Sequence, residues 1–111
     1  MVWIHGGGFY SNTGQSIWFG PDYLMDHDIV LVTMNYRLAT LGFLSTGDKF
    51  APGNYGMKDQ VQVLKWVQDN IKFFGGDPLQ VTIAGQSAGA ASVILHMISP
   101  MSRGKAYTTQ I

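Results

Sequence analysis

The pentapeptide Gly85-Gln-Ser-Ala-Gly89 lies between a β-branched run, Val81-Thr-Ile-Ala84, and a small-residue apolar stretch from Ala88 to Ile98. No other feature restricts the fold as strongly. Holding a serine Oγ above the end of a strand needs a sharp strand-to-helix turn with strained backbone angles, and flanking glycines remove side chains that would clash there. Small Ala88 and Ala90 help in the same way. The turn also sets Ser87 at a helix N-terminus, where the positive end of the dipole favours negative charge developing nearby. From 14 Gly and 7 Ser, the G-x-S-x-G pattern arises by chance in roughly one such chain in ten. Its weight therefore comes from its placement between strand and helix.

The rest of the chain alternates in the same manner. Met1 to Ile4 is a short apolar run ended by His5-Gly6-Gly7-Gly8, a strand followed by a flexible turn. A chain that opens inside a strand reads as an internal stretch of a longer protein. Ser11 to Gly20 has no period and reads as loop, Asp28 to Tyr36 as a buried strand, and Leu38 to Gly53 as a long excursion. Met57, Val61, Leu64, Val67, Ile71 and Phe74 then recur three and four apart, one face of an amphipathic helix. Asn54 is its expected N-cap and Gly75-Gly76-Asp77-Pro78 its stop. Gln80 to Ala84 reads as a strand, and the helix from Ala88 ends before Pro100. Alternating strands and helices predict an α/β fold with a mostly parallel sheet and right-handed crossovers.

His5-Gly6-Gly7-Gly8 is the second chemical motif. Acyl transfer builds an oxyanion, and consecutive glycines let bare backbone N–H groups approach it. With 3 His and 14 Gly, chance supplies this tetrapeptide in under roughly one chain in a hundred. A glycine loop after one strand and a nucleophile elbow after a later one is the pairing known from lipases and esterases. The loop and the elbow are expected to meet only when the sheet is complete.

A base and an acid should follow the nucleophile in such a fold. The only later histidine is His96, and no Asp or Glu follows Ser87. His96 lies nine residues along the same helix, about 13 Å away at the helical rise, and reads as a packing residue. His5 is expected to brace the glycine loop and His27, between Asp26 and Asp28, to be solvated; three scattered histidines make no metal site. Trp3, Phe9, Tyr10 and Trp18 read more readily as core than as the lining of a gorge. Seven basic and seven acidic residues leave no net field to gather nucleic acid or an anionic membrane, and the longest apolar run is strand-sized. The absence of Cys and of Asn-x-Ser/Thr leaves the compartment open.

The residues Trp3-Ile-His-Gly-Gly-Gly-Phe9, Asn35-Tyr-Arg37, Pro52-Gly-Asn54, Lys58-Asp-Gln60, Phe74-Gly-Gly-Asp-Pro78, Gly85-x-Ser-Ala-Gly89 and Ser99-Pro100 with Ser102-Arg103 resemble type-B carboxylesterases and cholinesterases. The resemblance covers nearly the whole chain; only the tail, Lys105 to Ile111, fits poorly. It implies an α/β-hydrolase fold, of which residues 1–111 would be the part of the catalytic domain from oxyanion loop to elbow. It implies Ser87 as nucleophile, oxyanion donors at Gly7, Gly8 and Ala88, and an ion pair of Arg37 with Asp59, expected to be buried. Many relatives carry Glu beside the nucleophile; neutral Gln86 argues against a cationic alcohol group. The Gly-Gln-Ser-Ala-Gly form resembles that of insect juvenile hormone esterases and of other insect esterases. Gln86 and Phe9 are the candidate substrate-pocket residues. The expected partner is a small ester, with no cofactor, no metal and no nucleic acid, and the family resemblance favours an extracellular setting. The competing class is a cholinesterase-like adhesion module that keeps the fold without catalysis.

Overall fold

The computed structural model describes residues 1–18 and 20–102 together with the backbone of 107–109. Of the tail, only those last three positions are described; the remainder of 105–111, and Arg103, lie outside. Four parallel strands, β1 (Val2–Ile4), β2 (Val32–Thr33), β3 (Val81–Gly85) and β4 (Tyr107–Thr109), lie in the order β2-β1-β3-β4. Helix α1 spans Ala39–Phe43, α2 Tyr55–Asn70 with a 3-10 turn over Ile71–Phe74, and α3 Ala88–Ile98. The α/β reading therefore holds, with a parallel sheet and helices between its strands.

Alternation along the strands builds the core. Val2 pairs with Ile83 across β1 and β3, so Val2, Ile4, Val81 and Ile83 share one face. Leu64 and Val67 of α2, Ile71 of the 3-10 turn after it and Val93 of α3 pack with these strand residues, all of them buried. Each Å² of apolar surface taken out of water here stabilises the packed layers by about 25 cal/mol.

Five expectations change. The strand foreseen over 28–36 shortens to β2, because beyond Thr33 the chain leaves the ladder to hold the loops around the site. There Asn35 Oδ1 accepts from Thr13 Oγ1 at 3.0 Å and Gly14 N–H at 2.9 Å, while Tyr36 Oη donates to the His5 carbonyl at 2.9 Å. The excursion over 38–53 contains α1. Asn54 stands at the N-cap position of α2 but in left-handed backbone (φ 57°, ψ 29°), and its side chain makes no capping bond. Phe74 lies beyond the covered stretch of the helix face, 61% exposed, with its ring 5.6 Å from that of Trp66. Tyr10 and Trp18, read as core, are also exposed. His27 is exposed as foreseen.

The Arg37–Asp59 pair forms, but it is not buried. Arg37 Nε and Nη2 reach Asp59 Oδ2 and Oδ1 at 2.8 and 2.7 Å, and the Arg37 backbone N–H adds a bond of 2.9 Å to Oδ2. The side chains are 52% and 27% exposed, because the pair straps the segment before α1 to the open side of α2 rather than to the core. The guanidinium hydrogen bond holds the Asp59 carboxyl below the usual carboxylate range.

Candidate active site

Ile4 pairs with Gly85, so the glycine loop and the elbow leave adjacent parallel strands at the same edge of the sheet. This is the carboxyl edge, where open α/β sheets place their sites. The two motifs therefore meet within this segment, and the expectation that they need the completed sheet is corrected. A methyl group on Gly6 would lie 2.5 Å from Gln86 Oε1, 2.7 Å from the Gln86 carbonyl oxygen and 3.1 Å from Ser87 Cβ. The loop lies directly against the serine. On the other side, a Cβ on Gly89 would collide with the Ile4 carbonyl, so only glycine lets the start of α3 pack on the end of β1.

Ser87 has φ 57° and ψ −119°, the corner conformation of a type II′ turn that glycine normally occupies. A non-glycine residue there stores about 1–3 kcal/mol of strain. The corner leaves Ser87 exposed, while Ala88 and Gly89, which follow it, lie inside the fold. Among the described residues, no histidine is hydrogen-bonded to Ser87.

The direction of the candidate oxyanion donors follows from peptide geometry. In a trans peptide, the C=O and the following N–H point opposite ways. The Gly7 carbonyl accepts from Tyr10 N–H and Ser11 N–H, each at 3.0 Å, so the Gly8 N–H is turned away from that turn. His5 Nδ1 stands 2.7 Å from the Gly6 carbonyl, which turns the Gly7 N–H away from the imidazole. The Ser87 carbonyl accepts from Ala91 N–H at 3.0 Å, inside the helix, so the Ala88 N–H faces out of the N-terminal end of α3.

His5 does brace the loop. It is buried, stacks on Tyr36 with ring centroids 4.5 Å apart, and donates from Nδ1, since a carbonyl can only accept. Its Nε2 is buried without a partner among the described residues. Phe9, in left-handed backbone (φ 65°), packs edge-to-face on Phe43 at 5.3 Å. With Gly8, Ala39, Phe43, Asn54, Met57 and Leu95 it lines a cavity of about 460 Å³. Gln86, beside Ser87 in the chain, is exposed.

His96 is buried as foreseen, but in a polar setting. Its Nε2 stands 2.9 Å from Gln60 Oε1 and its Nδ1 3.1 Å from Ser102 Oγ, and burial lowers its pKa below the ordinary histidine value. Gln60 and Ser92 were not singled out in the sequence, although a signal was there. Gln60 falls on the apolar stripe of α2 between Met57 and Leu64, and Ala88, Ser92 and His96 are spaced by four along α3. No group of three or more His, Cys, Asp or Glu able to hold a metal occurs among the described residues, and no described helix is long and apolar enough to cross a membrane.

A parallel sheet with a glycine loop and a strained serine corner side by side at its carboxyl edge defines an α/β-hydrolase. The profile described as the carboxylesterase family matches residues 1–111, and the chain belongs to that family. Juvenile hormone esterase of Tribolium castaneum is 62% identical over 104 residues, which are 94% of this chain and 18% of that protein. Esterase FE4 of Myzus persicae is 61% identical over 105 residues, again 94% of this chain and 18% of the relative. A crystal structure of juvenile hormone esterase from Manduca sexta with OTFP covalently attached superposes with a TM-score of 0.93 at 47% identity, covering 97% of this chain and 20% of that one. The chain thus spans about a fifth of the length of the relatives it matches.

Proposed function

We propose that residues 1–111 are the stretch from oxyanion loop to elbow of a larger catalytic domain, and that the whole protein hydrolyses carboxylic esters through Ser87. The observation that supports this is the close approach of Gly6 to Ser87 at adjacent strand ends. Ser87 Oγ attacks the ester carbonyl and gives its proton to a histidine supplied from outside this segment. Gly7, Gly8 and Ala88 donate to the oxyanion. The alcohol leaves with a proton, and water then releases the acid from the acyl-serine. The alternative, a non-catalytic adhesion module, would give no reason to keep Ser87 in a strained, exposed corner.

The substrate proposed is a small neutral ester. Gln86 beside Ser87 offers an amide and no charge, so a cationic alcohol gains no Coulomb attraction there. Phe9 and its cavity would take apolar bulk. The similarity to juvenile hormone esterases of beetle and moth is consistent with an apolar ester.

The full-length protein, treated with a fluorophosphonate probe and digested, is expected to carry the label on the Ser87 peptide. Label on another residue, or none while an ester is being hydrolysed, would sink the assignment. Binding of a protein partner without any labelling would instead favour the adhesion reading.

A further inference from the structure

We infer that Gln60 is a positioning residue for the nucleophile elbow. It holds the first turn of α3 through a buried relay from Ser102 by way of His96, Gln60 and Ser92 to the Ala88 carbonyl. The inference rests on the role proposed above for Ser87 and Ala88.

The relay is closed to water along its length. Gln60 and Ser92 are each 0% exposed, Ser102 2% and His96 3%. Gln60 Nε2 donates to Ser92 Oγ at 3.2 Å, and Ser92 Oγ donates to the Ala88 carbonyl at 2.9 Å. Met57 Sδ, at 3.7 Å from the same hydroxyl, is the weaker acceptor. With the Gln60 amide nitrogen committed to Ser92, Oε1 must accept, so His96 carries its proton on Nε2. Its Nδ1 lone pair then faces Ser102 Oγ, whose hydroxyl also lies 3.0 Å from the His96 carbonyl. Each group sets the direction of the next.

Packing alone does not account for this arrangement. Apolar side chains of the same volume would join α2 to α3 without four buried polar groups, each costly if left unpaired. What the polar version adds is a fixed direction, and it ends at one place. Ala88 follows Ser87, and its N–H is a candidate oxyanion donor. A strained corner persists only when its surroundings over-determine it. Gly89 against Ile4 supplies the restraint on the sheet side, and the relay supplies it on the α2 side. Misplacing reacting groups by about 1 Å costs about a hundredfold in rate, so a small rotation of this turn should show in catalysis.

The test uses the full-length enzyme with three readouts: steady-state ester hydrolysis, the rate of fluorophosphonate labelling at Ser87, and Tm. Gln60→Leu keeps the volume and removes both bonds. It is expected to lower kcat and the labelling rate together, about ten- to a hundredfold, with KM within about threefold, since the loss is confined to the transition state. Ser92→Ala, a smaller change that decides the matter if Gln60→Leu does not fold, should move the same two rates in the same direction. The double variant should be no slower than the slower single, as groups in one network are not additive. Wild-type kcat and labelling in both variants, with Tm alone changed, would overturn the inference. Absence of label on Ser87 in the wild type would overturn the proposed function instead, before any variant is made.

Discussion

At Ser87 the fold places a side chain where glycine would be more comfortable; Gly6 lies against it, and Gly89 lets the helix that follows pack on β1. Substitutions among these glycines should therefore act on catalysis as well as on stability. Gly8 has φ +60°, and a Cβ there would lie 2.5 Å from the Tyr10 ring. Gly8→Val in the full-length protein is expected to lower kcat by about a hundredfold or more, through a displaced oxyanion donor. Steady-state kinetics check this, and an effect confined to KM would show that the loop binds substrate without stabilising the transition state. Gly89→Ala sets a methyl group on the Ile4 carbonyl, and overpacking of this kind costs about 1–3 kcal/mol. It should lower the midpoint of urea unfolding and slow labelling of Ser87 together. An unchanged midpoint would mean that α3 can shift off β1 freely.

Among the elements, the strap between Arg37 and α2 shows how far residue patterns reach. The pairing of Arg37 with Asp59 was legible from family resemblance, but its exposure was not. Arg-Asp spacing says nothing about which side of α2 faces the sheet, and Asp59 sits at the boundary of the apolar stripe. Asp59→Asn is thus expected to lower Tm by only a few degrees, far less than loss of a buried pair. The sign with pH follows from the depressed carboxyl. Its stabilisation is fully present above the unfolded value of about 3.9 and is lost as pH falls through the folded value. The Tm gap between wild type and Asp59→Asn should be constant from pH 7 to about 5 and close below about 4. A gap that persists at pH 2 would contradict the pair's contribution. The strand and helix periods of α2, β3 and α3 were equally legible, because local pattern and tertiary burial agree there. β2 was overestimated because Asn35 and Tyr36 are recruited by distant loops, which no local period records. The Gln60–Ser92–His96 cluster was missed for the same reason, since its members belong to two helices about thirty residues apart.

For the molecule as a whole, the serine corner and glycine loop are assembled here, while no described histidine is hydrogen-bonded to Ser87. The 111 residues expressed alone should therefore show no p-nitrophenyl butyrate turnover above a Ser87→Ala control. Turnover near ordinary enzyme rates would mean that a base is present within this stretch. Apolar side chains left open, among them Leu41, Phe50, Ile94 and Met97, should also make the isolated segment poorly soluble. Val2 meets Ile83 across β1 and β3, 81 positions apart along the chain, whereas α2 and α3 each close on their own neighbours. Contacts this distant are formed late, because the loop between them must be ordered before any of them is rewarded. Helical signal should thus return early when the unfolded full-length protein is diluted from urea. Reactivity of Ser87 should return only at the rate at which β1 and β3 find each other.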